Sequence, residues 1–198
     1  MSRDSLGYAL LLSVLLLLAP RSEHRNTLPE TAFFCALPEQ AATLGTLSPY
    51  DGLLRQYADS LGWDWRLLAA VVYHESRFNN EAVSSKGATG LMQILSTKYS
   101  EEELLNPARN LEIGSRYLKR LQGMYPAASP LESVKFALAA FNLGEGRVNR
   151  LIEQAGEAGL DTTQWDQVAQ MLPKGHHTVA YVEKVLNSHA RYKQQYPR

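Results

Sequence analysis

Apolar residues recur at every third or fourth position along the chain after residue 48, and this spacing predicts one α-helix after another. The first predicted helix covers residues 50–61, and a second is expected to begin after a cap at Asp64 and to end near Arg77. Residues 78–90 are rich in polar and small side chains, which predicts a loop. Further helical segments are expected at residues 91–95, from Asn106-Pro107 onward, and at residues 131–142, 147–154, 165–172 and 178–192.

The predicted helix at residues 131–142 differs from the others because it is apolar on almost every side. It follows Ser129-Pro130-Leu131-Glu132, a pattern typical of a capping box with proline in the first helical position. A helix without a polar face is expected at the centre of a domain. The predicted fold class is therefore mainly α, a helical bundle around a central buried helix.

The first 48 residues follow a different pattern. Arg3 precedes a largely apolar run at residues 6–19, which is shorter than the roughly 20 residues of a membrane span and has the length of a signal-peptide core. We therefore expect residues 1–20 to be a signal peptide or a short membrane anchor; a buried core helix is the alternative. Residues 21–48 are expected to be a linker, and residues 49–198 a single folded domain. The expected location is the periplasm or cell envelope, with or without membrane association through the apolar segment.

The charge of the chain indicates which classes of binding partner to expect. Lys plus Arg and Asp plus Glu both number 20, which gives a formal net charge of +0. Nucleic acid is therefore not expected as a partner, because phosphate binding requires a basic surface. The single cysteine, Cys35, excludes a disulfide within the chain and a cysteine-based metal cluster.

Glu75 is the candidate catalytic residue on physical grounds. It shares a face of the second predicted helix with Leu68, Val71 and Val72, near the helix C-terminus. Apolar surroundings and the negative end of the helix dipole both raise the pKa of a carboxyl group. Cleavage of a glycosidic bond needs such a protonated acid. The alternative is a surface glutamate paired with Arg77.

Four segments of the chain, taken together, resemble a known enzyme family. They are Glu75-Ser76-Arg77-Phe78-Asn79 with Gly87-Ala88 and Gly90-Leu91-Met92-Gln93; residues 106–118; Ala140-Phe141-Asn142-Leu143-Gly144; and Ala180-Tyr181-Val182. In this order, over residues 50–192, they resemble the catalytic domain of the soluble-lytic-transglycosylase-type murein transglycosylases.

The resemblance implies a goose-lysozyme-like helical fold, peptidoglycan glycan strands as substrate, and no metal or cofactor. It also implies that Glu75 protonates the oxygen between N-acetylmuramic acid and N-acetylglucosamine while the substrate's acetamido group supports the cationic centre. Glu75 would then act as a base on the C6 hydroxyl and close a 1,6-anhydro ring. Such a reaction needs no second carboxylate, and none is obvious in the sequence.

Substrate-binding roles follow from the same resemblance. The implied residues are Ser76, Met92, Gln93, Phe141, Asn142 and Tyr181. The residues alone leave structural alternatives open, because Ser76 could bond to the backbone, Asn142 could cap its helix and Tyr181 could lie in the core.

Two positions depart from the family pattern. Phe141 occupies the place of a usual tyrosine, so a hydroxyl is lost while packing is kept. His177 occupies the place of a common glutamate, which removes a carboxylate from the groove. The pair His176-His177 is not expected to bind metal, because adjacent side chains point in different directions and no Asp, Glu or Cys cluster joins them.

Two other functions remain alternatives. A goose-type lysozyme on the same fold would need an acidic side chain to hold water, for which Glu81 is the candidate. A non-catalytic peptidoglycan-binding protein is less expected, because a binding protein does not need an acid at Glu75.

Overall fold

The computed structural model describes residues 45–125 and 127–196. These residues form α1 Asp51–Leu61, α2 Trp65–Ser76, α3 Glu101–Leu105, α4 Pro107–Gln122, α5 Pro130–Leu143, α6 Glu145–Glu157, α7 Trp165–Val168 and α8 His177–Gln195, with a 3₁₀ turn at Ala169–Met171. Extended pairing within the described ranges is limited to two isolated bridges, Val83 with Thr89 and Thr89 with Ile94. The predicted mainly α fold class is confirmed.

The predictions for residues 1–20, and for all but the last few residues of the predicted linker, lie outside the described residues. In the part of the chain that the structure describes, no helix is both long enough and apolar enough to cross a membrane.

The predicted helix starts at Asp64 and Asn106 are confirmed. The side chain of Asp64 accepts a hydrogen bond from the backbone nitrogen of Arg66 at 3.0 Å, and that of Asn106 accepts one from Arg109 at 3.0 Å. Both bonds satisfy backbone donors that a helix start leaves without partners.

Helix α5 is the central helix of the bundle, as expected. Residues 136–140 are all 0% exposed, and the helix packs against α4, α6 and α8. Its predicted capping box is only half right. Ser129 accepts the bond from the backbone nitrogen of Glu132 at 3.2 Å, but the Glu132 carboxylate instead accepts one from the backbone of Trp165 at 2.7 Å. The glutamate therefore connects α5 to α7.

Two helix predictions need correction. Residues 91–95 form turns rather than a helix, because Gln93 has a φ of 48° and Ile94 pairs back to Thr89. Helix α3 was not predicted, although its start has a complete capping box between Ser100 and Glu103.

Helices α2 and α8 pack along each other and are joined near both ends of α2. At the start of α2, Arg66 is buried, pairs with Asp64 at 2.6 Å and donates to the backbone oxygen of Tyr196 at 2.8 Å. At its end, Glu75 meets Tyr181 of α8. This packing fixes the position of the candidate acid.

Candidate active site

Glu75 lies in the last turn of α2 and accepts a hydrogen bond from a tyrosine of α8. The hydroxyl of Tyr181 donates to Oε1 of Glu75 at 2.6 Å. Both side chains are partly buried. The alternative pairing of Glu75 with Arg77 is not found among the described residues, since the Arg77 guanidinium lies 4.2 Å from the centroid of the Tyr73 ring. The site therefore combines an acid with a neutral donor.

The acidity of Glu75 is set by its surroundings. Burial raises the pKa of Glu75, and the Tyr181 hydrogen bond opposes that rise because it favours the charged carboxylate. No charged side chain of the described residues contributes to the shift. Burial and the nearby carboxylate raise the pKa of Tyr181 well above its ordinary value, so this hydroxyl remains a donor. Glu75 therefore keeps its proton to a higher pH than a free glutamic acid.

The backbone beside Glu75 is held in an unfavourable conformation. Among the described residues, the non-glycine residues with positive φ are Arg77 at 56°, Phe78 at 62° and Gln93 at 48°. A left-handed non-glycine residue costs about 1–2 kcal/mol. All three flank or belong to the loop between α2 and α3, and such clustering is typical of functional sites.

Ser76 is buried, and its hydroxyl donates to the backbone oxygen of Val72 at 3.3 Å. Ser76 therefore bonds to the backbone, which was the alternative to a substrate-binding role. The described geometry shows a residue that supports the end of α2 rather than one that is open to a sugar.

Asn110 of α4 holds the loop, and sequence reasoning did not assign it this role. The amide is 0% exposed and makes three bonds, accepting from the backbone of Met92 at 2.8 Å and donating to the backbone oxygens of Thr89 at 2.9 Å and Leu104 at 2.8 Å. A buried amide with all these partners fixes the loop against α3 and α4. The available signal was a polar residue on the apolar face of a predicted helix.

Met92 was expected to bind the substrate, but its side chain is closed to solvent in the structure. Its side chain is 0% exposed and packs against α4 at Gly114, where an added Cβ would lie 2.3 Å from the Met92 sulfur. Met92 therefore lies in the hydrophobic core. The apolar side chain at the surface is Leu95, 66% exposed, beside Tyr99 and Tyr117 in a cleft of about 460 Å³.

Gln93 uses its side-chain nitrogen to shape the loop. Nε2 donates to the backbone oxygens of Ala82 at 3.0 Å and Gly90 at 3.1 Å. In the described part of the chain, no hydrogen bond is made to its side-chain oxygen, which leaves one acceptor for a ligand.

Asn142, at the end of α5, contacts α8 rather than capping its own helix. Its Oδ1 accepts a hydrogen bond from the hydroxyl of Thr178 at 2.8 Å, and Thr178 is 0% exposed. Asn142 and Tyr181 line the same cleft between α2 and α8. The bond from Thr178 therefore fixes the orientation of the Asn142 amide, which lies on the same side of the molecule as Glu75.

Comparison with known proteins assigns the chain to a family. The family model for the transglycosylase SLT domain matches residues 52–163. The chain belongs to this family. It is 33% identical over 159 residues to the membrane-bound lytic murein transglycosylase F of Marinobacter nauticus, covering 70% of this chain and 32% of that protein. It is 30% identical over 165 residues to the protein of the same name from Desulfosudis oleivorans, covering 72% of this chain and 36% of the relative.

A solved structure has the same fold as the SLT domain. The 70-kDa soluble lytic transglycosylase of Escherichia coli matches with a TM-score of 0.60 and 26% identity, over 73% of this chain and 24% of that one. The predicted lysozyme-like bundle is thereby confirmed. The chain spans about a third of the length of the curated relatives it matches.

The SLT match includes Glu75, Gln93 and Asn142, whereas Tyr181 lies beyond its last residue. Within the match, Phe141 packs against Tyr117 with ring centroids 5.7 Å apart. The two rings are tilted by 44°, and Tyr117 places a hydroxyl-bearing ring beside Phe141.

The two adjacent histidines, His176 and His177, lie beyond the SLT match and contact each other at the start of α8. Nδ1 of His176 accepts a hydrogen bond from the backbone of Thr178 at 3.2 Å, which caps α8. Its ring lies 4.3 Å from that of His177. Among the described residues, no three His, Cys, Asp or Glu side chains are grouped so that they could hold a metal ion.

Proposed function

We propose that this chain is a peptidoglycan lytic transglycosylase, with Glu75 as acid and then base. The family assignment supports the reaction class, and the curated relatives carry the name lytic murein transglycosylase. The observation that carries the assignment of Glu75 is its carboxyl group, which is raised in pKa by burial and bonded at 2.6 Å to a neutral donor.

The proposed reaction begins with Glu75 protonated. Its proton passes to the oxygen that links C1 of N-acetylmuramic acid to N-acetylglucosamine, the bond from C1 to that oxygen breaks, and the substrate's acetamido oxygen supports the cationic C1. The Glu75 carboxylate then removes the proton of the C6 hydroxyl, and O6 bonds to C1. The product is a 1,6-anhydro sugar, and the enzyme has regained its proton.

The lysozyme alternative needs a second acidic residue beside Glu75, and the described residues do not favour one. Glu81 is exposed and does not contribute to the pKa shift of Glu75. A single carboxyl group that serves both steps is consistent with a reaction assisted by the substrate.

The remaining site residues have supporting roles in this proposal. Gln93 and Asn142 offer hydrogen bonds to the sugars from amides that are already oriented, and Tyr181 holds Glu75. Phe141 contributes an aromatic surface. Ser76 and Met92 stabilise the end of α2 and the back of the loop.

The proposed place of action is the periplasm or cell envelope. The name of the relatives, membrane-bound lytic murein transglycosylase, supports an enzyme at the cell wall. Membrane attachment through the segment at residues 6–19 is part of this proposal, and the mass of the protein recovered from cells would show whether that segment is retained.

Digestion of purified peptidoglycan by the full chain tests the proposal. We expect muropeptides that are one water lighter than hydrolytic fragments, which marks the anhydro ring. Fragments at full mass that disappear with Glu81→Gln would instead establish a lysozyme. Binding of peptidoglycan without release of any fragment would establish a non-catalytic protein.

A further inference from the structure

The cleft between α2 and α8, beside Glu75, is strongly basic. It has a volume of about 620 Å³. Its lining residues are Tyr73, His74, Arg77, Asn142, His177, Tyr181, Lys184, Asn187, Ser188 and Arg191, and they include three permanent cations, two histidines and no carboxylate.

The α8 side of the cleft is a single stripe of the helix. His177, Tyr181, Lys184, Ser188 and Arg191 recur at intervals of four and three residues, so their side chains share one face. Tyr181 reaches Glu75 from this stripe. The two cations farther along it are therefore one and three turns beyond the catalytic hydroxyl on the same surface.

The α2 side adds a third cation in a constrained position. Arg77 is held in the left-handed region with φ 56°, and its guanidinium lies over the Tyr73 ring at 4.2 Å. His74 is fixed by its bond to Ser188 at 2.9 Å. Burial lowers the pKa of His74, and the charges of Arg77, Lys184 and Arg191 lower it further, so all three cations act on the same part of the cleft.

No carboxylate of the described residues neutralises the three cations that line this cleft. Within residues 45–125 and 127–196, none of Arg77, Lys184 and Arg191 forms an ion pair with a carboxylate, while Arg116 and Arg120 pair with Glu112 and Glu145. Unpaired cations in a cleft of one sign attract an anionic ligand.

We propose that this cleft binds a carboxylate group of the substrate next to the bond that is cleaved. This inference rests on the proposed function and names the chemistry that the same site selects. Planar guanidinium groups match a carboxylate with two hydrogen bonds, and the ammonium of Lys184 adds a point charge. In peptidoglycan, such carboxylates are those of the stem peptide or, on strands stripped of peptides, that of the lactyl group.

In this proposal the three cations strengthen binding of the substrate and do not change the pKa of Glu75. No cation contributes to the pKa shift of Glu75. Loss of the cations is therefore expected to raise KM while leaving kcat and the pH profile of cleavage almost unchanged, a split that a general loss of structure would not produce.

The test compares the full chain with Lys184→Ala/Arg191→Ala. The matched control is Arg150→Ala/Lys193→Ala, which removes the same charge from exposed positions outside the cleft. Three substrates are used: peptidoglycan with its stem peptides, peptidoglycan stripped of them by an amidase, and intact peptidoglycan whose free carboxylates have been converted to methylamides. We expect the cleft variant to raise KM about five- to tenfold on a substrate with free carboxylates and less than twofold on the methylamide form.

Each substrate separates one source of the carboxylate. A rise in KM only on peptide-bearing strands assigns the stem peptide, and a rise only on stripped strands assigns the lactyl group. The proposal is overturned if the cleft variant matches the control on all three substrates, or if its KM rises equally on the methylamide form.

A binding measurement keeps this result independent of the reaction. The same three substrates are sedimented with full-chain Glu75→Gln, with and without the two cleft substitutions. We expect the cations to strengthen binding only where free carboxylates are present, and equal binding by both proteins would overturn the proposal. Failure of the wild-type chain to form anhydro products would instead count against the proposed function alone.

Discussion

Asp64 and Glu75 lie at opposite ends of the pairing between α2 and α8, and their pKa values move in opposite directions. The side-chain hydrogen bond from Arg66 holds the pKa of Asp64 well below its usual range and outweighs the opposing effect of burial. Burial raises the pKa of Glu75, whose hydrogen-bond partner among the described residues is the neutral hydroxyl of Tyr181. The partner of each acid therefore decides its role. An acid paired with a cation stays charged and stabilises the fold, whereas an acid bonded to a neutral donor can keep and transfer a proton.

The largest expected effect is on activity at the Glu75 end. Glu75→Gln keeps the shape of the side chain and removes its proton, so cleavage of peptidoglycan should fall by about 10²–10⁴-fold, the usual contribution of a general acid. Release of muropeptides measures this. Glu153→Gln, at an exposed position in α6, is the control and should cleave normally. Unchanged cleavage by Glu75→Gln would remove Glu75 from the mechanism.

The second largest effect is expected on the stability of the protein, from a change at Asp64 at the start of α2. Asp64→Asn leaves Arg66, 3% exposed, without its carboxylate, and we expect unfolding to require about 3 kcal/mol less. The folded-state pKa of Asp64 lies below its unfolded value of 3.8, so this stabilisation is present above pH 3.8 and is lost as the pH falls further.

Urea unfolding of Asp64→Asn at pH 7 and at pH 3 measures this difference. The difference between the two proteins should be smaller at pH 3 than at pH 7, and it should narrow further as the pH falls toward the folded-state pKa of Asp64. Asp59→Asn, exposed in α1, should change stability by less than about 0.5 kcal/mol. An equal loss for both variants would show that the buried pair has no special role.

A smaller effect is expected from removing the neutral donor, the hydroxyl of Tyr181. Tyr181→Phe removes a hydrogen bond that favours the charged form of Glu75, so the pKa of Glu75 should rise further. Cleavage requires the protonated acid and declines as the pH rises through this pKa. The declining limb of the pH–kcat profile should therefore move to higher pH, with kcat about tenfold lower for one lost hydrogen bond.

Tyr57→Phe is the control for this profile, because Tyr57 lies in α1 on another face of the domain. A Tyr181→Phe profile that keeps its position, or moves to lower pH, would contradict the proposed electrostatic role of the hydroxyl.

The smallest expected effect is on stability at Glu75. A carboxyl group whose pKa is raised by folding lowers stability as the pH rises above its unfolded value, 4.5. Glu75→Gln removes this cost, so the variant should be more stable than the wild type at pH 7 by about 1 kcal/mol. The gain should vanish below pH 4.5 in thermal unfolding experiments. A variant less stable at pH 7 would show that Glu75 is not strained by burial.

The sequence predicted the parts of this fold and site that depend on local patterns. The apolar face beside Glu75, the caps at Asp64 and Asn106 and the central α5 follow from periodicity and short-range chemistry, and the structure confirms them. Local patterns do not connect Glu75 with Tyr181, because 106 positions separate them along the chain.

The parts that the sequence could not predict depend on contacts between distant segments. Residues 91–95 have apolar spacing typical of a helix, yet the bonds of Asn110 to the loop and the space at Gly114 hold Met92 in a turn. The carboxylate of Glu132 serves Trp165 rather than its own helix for the same reason. The sequence pattern of one segment does not show which hydrogen-bond or packing partner a distant segment supplies.

Asn110 also has a consequence for the order of folding. The loop at residues 77–100 contains no helix and only two isolated bridges, and the Asn110 amide bonds the loop backbone to α3 and α4. The contact of Glu75 with Tyr181 requires only α2 and α8. We therefore expect that the bond between Glu75 and Tyr181 can form before the loop is fixed, so that a partly folded chain would carry this pair without the ordered loop beside it.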